Sequence, residues 1–214
     1  MINKQIEILI ADDHAIVRHG LKQIVADETG MKVTAEAANS AEVFSLLQKG
    51  KWDILILDIN MPGVSGLEAL KRIKSDYPHL PVLILSMYSE DQYGIRAFQS
   101  GADGYLEKIS APEELVKAIR KIVNGGKYLR PTLAEKLAFS VDEHKNALLH
   151  ERLSNREYQI LCAIASGKSA EDIATELAIS KPTVYSYRKR ILEKMNLKTN
   201  VQLTQYAIHN HLIE

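Results

Sequence analysis

DILILDINMPGVSG, residues 53–66, decides how the first half of the chain folds. Four apolar residues, Ile54 to Leu57, run directly into Asp58. A run so short and so apolar reads as a strand buried on both faces. Met61-Pro62-Gly63 then breaks the chain, and Ser65-Gly66 opens a helix over Leu67–Ser75. Parallel sheets build their sites at the carboxyl ends of strands, so Asp58 is delivered to such a site.

The same alternation repeats on either side. Short apolar runs lie at Ile8–Ala11, Val33–Ala37, Ile54–Leu57, Val82–Leu85 and Gly104–Leu106. Helically spaced segments separate them at Ile16–Val25, Ala41–Gly50, Leu67–Ser75, Gln92–Ser100 and Glu113–Val123. Five βα units predict an α/β domain over residues 1–125, with a parallel five-stranded sheet covered on both faces. Asn124-Gly125-Gly126 and Pro131 end that pattern, and residues 126–149 read as a linker with a short helix over Thr132–Phe139. From residue 150 to 214 the strand signal is gone. Ser154 and Glu157 fit a capping box, Ser169 and Ser180 fit further caps, and an all-helical second domain is expected.

Composition sets the outer limits. The chain has 214 residues, 46% hydrophobic and 25% charged, with 27 basic and 27 acidic side chains. A net charge of zero gives no bulk attraction to nucleic acid or membrane. From His150 onward nine Lys/Arg face seven Asp/Glu, against eighteen and twenty before it, a weak asymmetry. The single cysteine, Cys162, excludes an intramolecular disulfide and reads as a buried, inert thiol. With no leader-like N-terminus and no apolar run near the ~20 residues of a membrane helix, a cytoplasmic protein without a membrane partner is expected.

Five polar residues occupy corresponding strand ends. Asp12-Asp13 follow the first strand, Asp58 the third, Ser86 the fourth and Lys108 the fifth. Parallel strands share one carboxyl edge, so these residues converge. Three carboxylates suit a hard cation such as Mg²⁺, which shares phosphate oxygens and relieves carboxylate repulsion. Asp58 can then attack an activated phosphorus to give an aspartyl phosphate, with Lys108 and the Ser86 hydroxyl holding the added oxygens. Taken singly each residue is ordinary; Asp58 alone fits a turn before Pro-Gly. His14, beside the acidic pair, is read as a loop or helix-start residue rather than a ligand.

ADDH (11–14), LDINMPGVSG (57–66), ILSMY (84–88) and GADGYLEK (101–108) resemble the receiver domain of bacterial two-component response regulators. The resemblance implies a doubly wound, flavodoxin-like fold with Asp58 as phosphoacceptor. It implies Mg²⁺ held through Asp13, Asp58 and the Asn60 backbone carbonyl, with Asp12 acting mostly through water. Ser86 and Tyr105 match the hydroxyl and aromatic switch pair, and Lys108 the phosphate-binding lysine. Ile109 stands where many receivers have proline, and Glu107 adds a negative charge beside the lysine.

In the second domain Ile160, Ile164, Ile173, Leu177, Val184, Ile191 and Met195 recur at helix-packing intervals, and short turns at ASGKS and AIS give a helix-turn-helix. The helix KPTVYSYRKRILEKM carries Val184, Tyr187, Ile191 and Met195 on one stripe. Its Lys181, Arg188, Lys189, Arg190 and Lys194 against Glu193 leave a net charge of plus four. LSNREYQIL, GKSAEDIATELAIS, TVYSYRKRILEKM and AIHNHLI resemble the LuxR-type domain of NarL/FixJ response regulators. That resemblance places Tyr185, Ser186 and Lys189 at base edges, and Lys181, Thr183, Arg188 and Arg190 at phosphates. Tyr185 and Pro182 depart from the polar or basic residues common there.

The combined expectation is a DNA-binding transcription factor, not an enzyme. Its control would come through Asp58, phosphorylated by a histidine kinase or small phosphodonor, and it would act on double-stranded DNA as a homodimer. Two alternatives compete. A phosphohydrolase would pass through the same aspartyl phosphate, but places a second acid two residues after its nucleophile, where this chain has Asn60. A phosphorylation-independent regulator would carry a vestigial receiver, against which the complete acidic set argues.

Overall fold

The computed structural model describes residues 5–61, 64–140 and 148–213. The chain divides into two compact units, Met1–Glu135 and Lys136–Glu214. The Pro62-Gly63 turn and the part of the expected linker at 141–147 lie outside the described residues.

The first unit alternates strand and helix throughout: β1 Ile6–Ala11, α1 Ala15–Ala26, β2 Met31–Ala37, α2 Ser40–Lys49, β3 Ile54–Asp58, α3 Gly66–Asp76, β4 Val82–Ser86, α4 Glu90–Gln99, β5 Gly104–Glu107 and α5 Ala111–Val123. All strand pairs are parallel, in the order β2-β1-β3-β4-β5. Every residue of β3 and β4 is buried, as their unbroken apolar runs require. Ile8, Ile10, Ile54, Ile56, Leu83 and Leu85 pack with Leu21 and Val25 of α1 and Leu115, Ile119 and Ile122 of α5. Successive residues alternate faces, and Leu9, Leu55, Leu57 and Ile84 are equally buried. The edge strand β2 instead alternates exposed and covered positions, and it extends two residues further toward the N-terminus than its apolar run. At the opposite edge, the Tyr105 N–H donates to the Tyr128 carbonyl at 3.0 Å and the Tyr128 N–H donates to the Asp103 carbonyl at 3.0 Å.

A helix α6 at Pro131–Ser140 follows, and the division between the units falls within it. The second unit contains α7 Asn155–Ala165, α8 Ala170–Glu176, α9 Lys181–Lys194 and α10 Asn200–His209, with no strand among the described residues. All three anticipated caps form. Ser154, Ser169 and Ser180 accept from the N–H groups of Glu157, Asp172 and Thr183, and the first two helices have complete capping boxes. Arg156 is buried because its guanidinium is occupied, donating to Leu177 O at 2.7 Å and Gln159 Oε1 at 2.9 Å. Cys162 is buried as expected.

Candidate phosphoacceptor site and helix-turn-helix face

The carboxyl edge of the sheet brings Asp12, Asp13, Asp58, Ser86 and Lys108 together as the strand order requires. Asp12 and Asp58 are 1% and 2% exposed, so neither carboxylate is solvated in the ordinary way. The Lys108 ammonium bridges them, with Nζ 2.6 Å from Asp12 Oδ2 and 2.8 Å from Asp58 Oδ2. The other Asp58 oxygen accepts the Asn60 N–H at 3.1 Å. Burial pushes the Asp58 carboxyl above the usual range, with the Asp12 charge adding to it and Lys108 opposing. Burial also works against the Lys108 ammonium, but the Asp58 and Asp12 charges outweigh it and hold its pKa above the usual lysine value.

The buried cluster therefore carries more negative than positive charge. One oxygen from each of Asp12, Asp13 and Asp58, together with a nitrogen of His14, lies within 4.8 Å of the others. This oxygen-rich donor set fits a divalent cation. His14 does stand at the start of α1, where its N–H donates to Asp12 Oδ1 at 2.9 Å. Its ring also reaches the site, with Nδ1 2.7 Å from Asp13 Oδ1 and 3.3 Å from Asp12 Oδ1. The helix-start position matches the sequence reading, and the ring lies against the acidic pair as well.

Asp58 owes its fixed position partly to Gly66. A Cβ on Gly66 would lie 2.2 Å from the Asp58 carbonyl oxygen and 2.7 Å from Ile59 Cα. Only glycine lets α3 begin against that backbone, and its N–H donates to Ile59 O at 2.9 Å. Ser65, buried beside it, caps α3 by accepting from the Glu68 N–H at 3.3 Å.

Ser86 is fully buried, and its Oγ accepts the Tyr88 N–H at 3.1 Å. Tyr105 is already 2% exposed, its hydroxyl donating to Tyr88 O at 2.8 Å within hydrogen-bond reach of the Ser86 side chain. Burial holds the phenol well above its usual pKa, so it acts as a hydrogen-bonding group only.

All seven residues expected at DNA lie on α9, the second helix of the α8–turn–α9 unit. Lys181, Tyr185 and Lys189 share one face at i, i+4 and i+8, and all three are exposed. Lys181 pairs with Glu171 and Lys189 lies 3.9 Å from Glu193. Ser186 is exposed but donates to Pro182 O at 3.0 Å, and Thr183 lies 2.7 Å from Ser180 Oγ. Arg188 stands apart. It is half-buried and donates through Nε to Asn200 Oδ1 at 2.6 Å, tying α9 to the start of α10. Arg190 lies over the Tyr187 ring at 5.8 Å. Tyr187 is only half-buried, and Leu192 joins Val184, Ile191 and Met195 in the covered stripe.

Comparison with known proteins meets this geometry at both ends. Residues 8–120 match the response regulator receiver domain, and residues 151–207 match the bacterial regulatory proteins of the luxR family. The chain belongs to the response regulators. It is 35% identical over 208 residues to response regulator UvrY of Escherichia coli K12, covering 97% of this chain and 95% of that one. It is 34% identical over 212 residues to response regulator GacA of Pseudomonas aeruginosa, with 98% of each covered. A solved structure of RcsB from Salmonella enterica serovar Typhimurium, bound to promoter rprA in the presence of the phosphomimetic BeF₃⁻, aligns with a TM-score of 0.64. That alignment has 27% identity and covers 94% of this chain and 98% of that one. This response regulator thus joins a flavodoxin-like receiver to a LuxR-type DNA-binding domain, as in the NarL/FixJ family. Among the described residues, no helix is long and apolar enough to cross a membrane.

Two polar residues of this response regulator gave no sequence signal. Glu90 and Arg130 meet 40 positions apart, the Arg130 N–H donating to Glu90 Oε1 at 3.1 Å. Neither belongs to a periodic pattern: Glu90 precedes the helical segment read at Gln92–Ser100, and Arg130 falls in the expected linker.

Proposed function

We propose that this response regulator is switched by phosphorylation of Asp58, and that the modified chain binds double-stranded DNA as a homodimer. The observation that carries this reading is the Lys108 ammonium bridging the buried carboxylates of Asp12 and Asp58. The domains would be residues 1–125 and 150–214, with 126–149 as the linker, and the chain would work on chromosomal DNA in the cytoplasm rather than as an enzyme.

The donor is a sensor histidine kinase or a small acyl phosphate. An Asp58 carboxylate oxygen attacks the donor phosphorus, the bond to the imidazole nitrogen or acyl oxygen breaks, and the leaving group carries off that electron pair. Mg²⁺ fits Asp12, Asp13, Asp58 and the Asn60 carbonyl, and when bound would neutralise carboxylate and phosphate charge. The Asn60 N–H and Lys108 orient the Asp58 carboxylate. Phosphorylation adds about −1.5 to −2 charge and strong acceptor oxygens. Lys108 then exchanges a carboxylate contact for a phosphoryl one, and Ser86 is drawn from Tyr105 and the Tyr88 N–H. Lys181, Thr183, Arg188 and Arg190 serve phosphates, while Tyr185, Ser186 and Lys189 reach base edges. RcsB bound to promoter rprA in the presence of the phosphomimetic BeF₃⁻ supports, by analogy, a modified chain that binds DNA.

Light scattering and genomic-fragment selection, with and without acetyl phosphate and Mg²⁺, test the reading. Phosphorylated chain should shift toward a dimer and enrich discrete fragments; equal mass and enrichment in both states contradict it. The second reading, regulation without phosphoryl transfer, has one observation in its favour, the already buried Tyr105. Enrichment by unmodified chain alone favours that reading.

A further inference from the structure

The residues between α5 and α6 do not hang free of the receiver. Lys127 Nζ lies 2.7 Å from Asp103 Oδ1 and donates to Ala102 O at 3.1 Å. The next residue pairs with β5 through the two backbone bonds at Tyr128. Arg130 then meets two carboxylates at once. Its N–H donates to both Glu90 oxygens, at 3.1 and 3.3 Å, and its Nη2 lies 3.2 Å from Glu107 Oε1. That same Glu107 oxygen accepts the Glu90 N–H at 3.1 Å. Leu133, 1% exposed, closes the segment by seating at Gly94 of α4, where a Cβ would come within 2.6 Å of Leu133 Cδ2.

Three of these anchors belong to or adjoin the switch. Tyr105 gives its own N–H to the strap. Glu90, almost fully buried, is the first residue of α4, four positions after Ser86. Glu107 adjoins Lys108, which holds Asp58. The guanidinium itself stands between two carboxylates of which one is buried, with Nε 3.7 Å from Glu90 Oε2 and Nη2 3.2 Å from Glu107 Oε1, so a shift of either loosens both contacts. The covalent path to the second unit leaves through this strap, because the division between units falls in α6.

We propose that residues 127–133 form a strap that carries the state of the phosphoacceptor site to the chain entering the DNA-binding domain, with Arg130 as its latch between Glu90 and Glu107. The proposal rests on Asp58 phosphorylation as the input. Movement of Ser86–Tyr88 displaces the start of α4, and movement of Lys108 displaces Glu107. Either change breaks the shared geometry at Arg130 and releases the strap from β5. Coupling of this kind is reciprocal, so releasing the strap must also loosen the switch.

Hydrogen exchange on the full chain, wild type and Arg130→Ala, measures both directions, with phosphoryl content read by intact mass on the same samples. The Arg130 side chain is 54% exposed, so the variant retains its core. In wild type, acetyl phosphate and Mg²⁺ should speed exchange at Tyr105 and Tyr128–Arg130 by about fivefold or more. Arg130→Ala should reproduce that without phosphoryl and also speed exchange across Ser86–Glu90. A clasp with a merely local role would loosen the strap and leave Ser86–Glu90 unchanged, overturning the proposal. Phosphoryl gain with unchanged strap exchange overturns it too. If wild type gains no phosphoryl, the mass alone refutes the input, and Ser86–Glu90 exchange in Arg130→Ala still decides whether strap and switch are coupled.

Discussion

Lys108 Nζ stands 2.8 Å from Asp58 Oδ2 and holds Asp12 Oδ2 at 2.6 Å with the same ammonium. The lysine side chain is only 9% exposed, so water does little to screen the two carboxylates from one another. Removing it leaves a buried pair of like charges. Lys108→Ala should therefore lower unfolding stability by about 3 kcal/mol without added cation. Adding Mg²⁺ should restore part of that loss, because a cation then supplies the missing charge. Urea unfolding with and without Mg²⁺ checks both statements.

The raised pKa of Asp58 gives a signed dependence on pH. Burial lifts its carboxyl above the ordinary value of 3.8, so ionising it costs the folded state more than the unfolded one. Below 3.8 both states are protonated and the group contributes nothing. As pH rises from 3.8 through the raised value, the folded chain loses stability relative to a variant without the carboxylate. Asp58→Asn should gain on wild type across that window and keep the gain at neutral pH. Urea unfolding of both proteins from acid to neutral pH measures it, and parallel curves would contradict the assignment.

Gly66 offers a test remote from charge. Because a Cβ there would press on the Asp58 and Ile59 backbone, Gly66→Ala should cost about 2–3 kcal/mol in stability. The backbone it displaces carries the phosphoacceptor, so phosphoryl uptake in folded protein should slow as well. Thermal unfolding and the rate of mass gain with acetyl phosphate report the two effects separately.

Lys189 tests the α9 face. Its side chain is 79% exposed and its ion pair with Glu193 is long, so the fold does not depend on it. Lys189→Ala should weaken binding to a selected genomic fragment roughly tenfold with an unchanged Tm. Unchanged affinity would move the recognition surface elsewhere on the helix.

The sheet was legible because β3 and β4 are buried on both faces and leave unbroken apolar runs in the sequence. Convergence of Asp12, Asp13, Asp58, Ser86 and Lys108 followed from parallel strands sharing one edge. Local caps at Ser154, Ser169 and Ser180 were legible because each depends on a partner three residues away. Long-range polar pairing was not. Arg130 finds Glu90 and Glu107 through the return of the chain along β5, and no spacing announces that return. The contact of the His14 ring with Asp13 was not legible, because its place at the helix start already satisfied the sequence pattern. Tyr187 was misplaced within its helix because periodicity alone does not say whether Tyr187 or Leu192 faces the core.

Intact mass after incubation with acetyl phosphate and Mg²⁺, wild type beside Asp58→Asn, tests the central claim most directly. Wild type should gain a single phosphoryl group that Asp58→Asn does not. Folded wild type with no gain, or equal gain in both proteins, would contradict Asp58 as the switch.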